Sequence, residues 1–94
     1  MQITVKCFAA CKDAVGTSSL NFDTQEDTTV GAVLDQLIEQ YPGLASYRQS
    51  LMLAVNREYA GHEHMLEDGD ELACIPPVSG GIQALFTVNY HPNV

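Results

Sequence analysis

Positive charge is scarce in this sequence. Four lysines and arginines stand against twelve aspartates and glutamates, a formal net charge of −8 over 94 residues. Such a chain repels phosphate backbones and anionic membrane surfaces, which argues against nucleic acid or membrane as a partner. A basic protein surface is its natural complement. Six of the acids (Glu58, Glu63, Glu67, Asp68, Asp70 and Glu71) fall toward the end of the sequence that carries the motif described below. They form either a solvated face that keeps the protein soluble or a docking surface. Long apolar runs are also missing. None approaches the ~20 residues that span a bilayer, and the N-terminus lacks a signal-peptide pattern. The expected location is cytoplasmic.

Other chemistry is absent as well. Cys7, Cys11 and Cys74 are odd in number and lack the spacing of a metal or thioredoxin-type site. Cys7 and Cys74 fall at strand positions expected to face inward, where cysteine behaves as a small hydrophobe; Cys11 is expected to be the accessible one. His62 and His64 flank Glu63 in a loop, with no second cluster to complete a metal site, and read as surface histidines. There is no glycine-rich phosphate loop, nucleophile elbow or obvious acid–base pair. The chain is expected to have no active site and no bound cofactor or metal of its own.

What is present is a single domain of ordinary composition, 46% hydrophobic and 17% charged, large enough for one modest core. Residues 2–8 alternate, with Ile3, Val5 and Cys7 on one side, and predict a strand. A short helical turn from Ala9 to Val15, stopped by Gly16, leads to a second strand at 19–23 with Leu20 and Phe22 inward. Thr29 is a good N-cap for a helix whose apolar residues (Val30, Val33, Leu34, Leu37, Ile38, Tyr41) form one stripe about three turns long. Pro42-Gly43 ends it. Residues 44–50 read as irregular, Leu44 and Tyr47 sealing an edge of the core. Leu51 to Val55 reads as a strand apolar on both faces and therefore central. Asn56-Arg57 is a hairpin turn, 58–60 a short strand, and 61–67 a loop.

The organising stretch is Asp68 to Gly81, DGDELACIPPVSGG. Asp68-Gly69-Asp70 supplies a tight turn. Residues 71–75 form a strand with Leu72 and Cys74 on one face and Ala73 and Ile75 on the other. Pro76-Pro77 must end it, since neither can donate to a ladder. Val78-Ser79 and the bare Gly80-Gly81 follow. From Pro76 to Gly81 the chain can extend on the order of 20 Å, at about 3.3–3.6 Å per residue. It is a main-chain probe leaving a folded body.

The order of DGDEL, PPVSGG and the strand between them resembles the end of the small sulfur-carrying subunit of molybdopterin synthase, the MoaD family, itself related to the thiamine sulfur carrier and to ubiquitin. The resemblance covers residues 1–81; residues 82–94 lie outside it as an extension. It implies an α+β fold of the ubiquitin-like β-grasp type, a mixed sheet of about five strands packed on one long helix, with first and last strands paired in parallel at the centre. It further implies that an ATP-using adenylating enzyme of the ubiquitin-activating type activates Gly81. Sulfur transfer then makes a thiocarboxylate that supplies the dithiolene sulfur of molybdopterin in molybdenum cofactor biosynthesis. The large synthase subunit is the implied catalytic partner, its channel receiving Pro76, Pro77, Val78, Ser79 and Gly80.

One departure bears on that chemistry. In stand-alone carriers the second glycine is the C-terminus, whereas here IQALFTVNYHPNV (residues 82–94) follows it. Proteolytic maturation after Gly81, fusion to a synthase domain beginning near Leu85–Tyr90, or a permanent extension would each account for it. Other carrier pathways, attachment to proteins as a modifier, and a non-reacting ubiquitin-like interaction module are the competing functions.

Overall fold

The alternating residues at the start of the chain fold as β1 (Gln2–Cys7) in the computed structural model, which describes residues 1–77. Ile3, Val5 and Cys7 are buried along one face. An α-helix, α1 (Ala10–Val15), follows, and Gly16 stops it in the left-handed conformation (φ 94°), its N–H donating to the Lys12 carbonyl at 2.7 Å. The chain then returns as β2 (Ser19–Asp23), antiparallel to β1, setting Ile3 opposite Phe22 and Val5 opposite Leu20. Both pairs belong to the core face, as alternation requires.

The long helix, α2 (Val30–Gln40), begins where the capping chemistry places it: the Thr29 hydroxyl accepts from the Ala32 N–H at 3.2 Å. Val30, Val33, Leu34 and Leu37 are fully buried on the sheet, and Ile38 and Tyr41 pack half-buried beside them. The first turn has a second partner. The N–H groups of Val30 and Gly31 donate to the carbonyls of His64 and His62, each at 2.9 Å, satisfying amides that a helix start leaves orphaned. Gly31 permits that approach, because a Cβ there would lie 3.1 Å from His62 Cβ and 3.2 Å from its carbonyl oxygen.

The segment expected to be irregular is a 3-10 helix (Pro42–Tyr47), with Leu44 buried and Tyr47 half-buried against the core. Three strands complete the sheet: β3 (Met52–Val55), β4 (Glu58–Tyr59) and β5 (Glu71–Ile75), in spatial order β2-β1-β5-β3-β4. The β3–β4 hairpin turns at Asn56 and Arg57, both at positive φ.

One assignment changes. The central strand is β5, lying parallel to β1 and antiparallel to β3, while β3 sits one place out, beside the two-residue β4. Its apolar character on both faces arises because Ala54 packs with Ala73 and Ile75 on the face away from α2, where Phe8 joins them half-buried. This is the mixed five-stranded α+β sheet carrying one long helix that the resemblance implies, with β1 and β5 paired in parallel at its middle.

Candidate functional site

The main chain leaves the sheet from its central strand. At the start of β5, Gly69 takes φ 90°, the Asp68 carboxylate accepts from the Gln2 N–H at 2.7 Å, and the Asp70 carboxylate accepts from the Glu67 N–H at 2.8 Å and the Asn56 side-chain amide at 3.0 Å. Asn56 Oδ1 in turn accepts from the Glu71 N–H at 3.0 Å, and the Asn56 N–H donates to the Glu71 carbonyl at 2.8 Å. Turn, hairpin and strand start are thus locked together through side chains that also satisfy backbone groups. At the other end, the Phe8 N–H donates to the Cys74 carbonyl at 3.3 Å. The two prolines then close the ladder.

Pro76 is almost completely buried and Pro77 is exposed. Pro76, expected with its neighbour to enter a partner channel, is instead held in the folded body and anchors the exit. Val78, Ser79, Gly80 and Gly81 lie outside the described residues, as does the boundary with residues 82–94. Asp68 and Asp70 build the turn before β5, five strand residues or roughly 16 Å from Pro76. His62 and His64 are exposed, and it is their backbone carbonyls that the helix start uses.

The thiols do not offer a nucleophile. All three cysteines are free and buried, and Cys11, expected to be accessible, is 0% exposed. Its place on α1 turns it into the core that β1 and β2 line. Burial raises the Cys7 thiol pKa, and burial reinforced by Cys7 raises that of Cys11 to about 11. Cys74 is raised further by the same desolvation and its two thiol neighbours. Since the thiolate is the reactive form, a thiol reagent at pH 8 should find no fast-reacting cysteine in the folded chain and three in denaturant. One rapid equivalent in the native protein would overturn this placement.

Two features of the site have no local signal in the sequence. Asn56 was read only as a turn former, although its amide ties two segments of distant sequence together; nothing local to residue 56 signals that. Lys6, Lys12 and Arg57, on three different elements, line one groove, and the scarcity of cations elsewhere in the chain is the signal that sets them apart.

The model of the ThiS family matches residues 5–81, so the last matched residue is the second glycine of Gly80-Gly81. The chain belongs to the ThiS family. Among ThiS-family relatives, the molybdopterin synthase sulfur carrier subunit of Mycobacterium tuberculosis is 38% identical over 82 residues, covering 86% of this chain and 99% of that protein. The crystal structure of SAMP1 from Haloferax volcanii superposes with a TM-score of 0.76 at 33% identity, over 86% of this chain and all of the other. A chain of the complex of subunits 1 and 2 of molybdopterin-converting factor from Helicobacter pylori gives a TM-score of 0.63 at 22% identity, covering 86% of this chain and 100% of that one. At that identity the likeness supports the fold. Among the described residues no helix is long and apolar enough to cross a membrane.

Proposed function

We propose that this ThiS-family chain is a sulfur carrier, the small subunit of a molybdopterin synthase, and that the carboxylate of Gly81 is the atom group that carries the sulfur. The observation behind this is that the family match runs through the folded domain and ends on Gly81, just beyond a central strand that delivers the main chain through Pro76 and Pro77. A carboxylate is a poor electrophile, because resonance spreads its charge and its oxygen leaves badly. Transfer of AMP from ATP, with release of pyrophosphate, makes a mixed anhydride. Attack by sulfide, or its equivalent from a sulfur donor, at the carbonyl carbon forms a C–S bond, breaks the C–O bond to AMP and leaves a thiocarboxylate.

The residue types suit the task. Gly80 and Gly81 have no Cβ, so main chain can enter a channel that any side chain would block. Pro77, exposed and fixed in φ, lowers the entropy to be lost when Val78, Ser79 and Gly80 are ordered in the large subunit. Pro76 holds the base of the segment. Hydrolysis of the Gly81–Ile82 peptide bond by a protease first frees the carboxylate; the adenylating enzyme and the large subunit are the partners the later steps require, in the cytoplasm. The other sulfur-transfer pathways and protein modification would use the same Gly81 carboxylate. The test is the intact mass of the protein isolated from its own host. A chain ending at Gly81 with one oxygen replaced by sulfur is expected; a population in which Gly81 is always followed by Ile82 would overturn the carrier reading in favour of a non-reacting interaction module.

A further inference from the structure

Three of the four cationic side chains of this acidic protein line one groove. Lys6 on β1, Lys12 on α1 and Arg57 in the β3–β4 turn line an opening of about 490 Å³ together with Phe8 and Ala73. One carboxylate, Glu71, shares the lining; it stands 3.8 Å from Lys6 with both side chains about a third exposed or more. Among the described residues no ion pair engages Lys12 or Arg57, whereas the fourth cation, Arg48, is paired with Asp35 at 2.7 Å. The groove therefore holds three cations against one anion on a body whose overall charge is strongly negative.

A second, independent observation concerns the backbone beneath Arg57. Asn56 and Arg57 have φ values of 52° and 72°, the left-handed pair that a two-residue hairpin turn requires. Asparagine tolerates the first position, but the second strongly favours glycine. Arginine there is held against its own preference. The Asn56 side chain, donating to the Asp70 carboxylate and accepting from the Glu71 N–H, fixes the turn in place. Strain of this sort, kept at an exposed site where the side chain adds nothing to the core, points to a use for the side chain.

We propose that this groove docks an acidic segment of a partner protein, a short stretch presenting two or three carboxylates around an apolar side chain. The cations come from three separate elements and share the lining with Phe8 and Ala73, which suits separated carboxylates beside an apolar side chain. The opening has no glycine-rich backbone cradle for a compact phosphate. A polyanion long enough to pass the groove meets the rest of the negative surface, while a short acidic segment lies within the local field, given a Debye length of about 8 Å. The chain's own residues 78–94 contain no Asp or Glu and lack the side-chain chemistry. The inference is independent of the reaction at Gly81.

The test titrates the full 94-residue chain, isotope-labelled for NMR, with an end-blocked Glu-Leu-Glu-Phe-Glu peptide, its glutamine counterpart and inorganic pyrophosphate. Saturable shifts at Lys6, Phe8, Lys12, Arg57 and Ala73 are expected with the acidic peptide, weakening as salt rises. Arg57→Gly should bind about two- to five-fold more weakly, the range carried by one exposed ion pair, while its melting temperature stays level or rises because glycine relieves the turn. Lys12→Gln should weaken binding to a similar degree. Equal binding of the glutamine peptide, no saturation at millimolar peptide, or groove shifts produced by pyrophosphate but not by the peptide would each overturn the proposal. So would an Arg57→Gly protein that loses stability and keeps its affinity.

Discussion

A protein ending at Gly81 should support ATP–pyrophosphate exchange by its activating enzyme, and the same protein continued through residues 82–94 should support none. The physical reason is all-or-none. In the longer chain the Gly81 carbonyl belongs to a peptide bond with Ile82, and resonance in that amide leaves no oxygen anion to attack the α-phosphate of ATP. No amount of favourable docking supplies the missing group. Both proteins carry the whole region matched by the family model and all of the described fold, so circular dichroism and melting temperature serve as controls. Exchange above background with the 94-residue chain, while its C-terminus remains intact by mass, would move the reactive carboxylate away from Gly81.

Leu34→Ala should cost about 2–5 kcal/mol of unfolding free energy, the range for truncating a buried leucine. Leu34 is 0% exposed in the middle of the α2 stripe, within the cluster that joins Val5, Leu72 and Cys74. An 11-residue helix is marginal alone, so what α2 loses in packing is not recovered from its own hydrogen bonds. With total stability for small domains of about 5–15 kcal/mol, the variant should show a clearly lowered denaturant midpoint with an unchanged slope. An unchanged midpoint would mean that α2 does not rest on the sheet.

The parts of this fold that were legible in the sequence share one property: their determinants are local. The stripe from Val30 to Tyr41, the Thr29 cap, the stop at Gly16 and the turn at Asn56-Arg57 each follow from spacing or from the preference of a single residue. The misplacements were all relational. Both β3 and β5 carry apolar residues on each face, and periodicity cannot rank two such strands. Cys11 reads as accessible and is buried: a six-residue helix has too few apolar positions to show which side is turned inward. Pro76 reads as part of the exit segment and is buried, since the burial of a proline at a strand end depends on neighbours far away in sequence. Of the candidate site, the turn, strand and proline exit were visible from residues 68–77. The hydrogen bonds that tie Asn56 to Asp70 and Glu71 were not, and neither was the meeting of Lys6, Lys12 and Arg57.

The parallel pairing of Thr4 through Cys7 with Glu71 through Cys74 has a consequence for how the protein comes into being. At a synthesis rate of about 5–20 residues per second, the first strand is made several seconds before β5, the strand that lies on its inner side. Until then β1 has β2 alone, and a two-stranded ribbon is at best marginal in water. The sheet therefore cannot close before β5 is made, and the strand that completes it is the one the Gly-Gly segment follows in sequence. A ribosomal product that stops short of β5 lacks both the finished sheet and the glycines, so an incompletely translated chain has nothing to offer an activating enzyme.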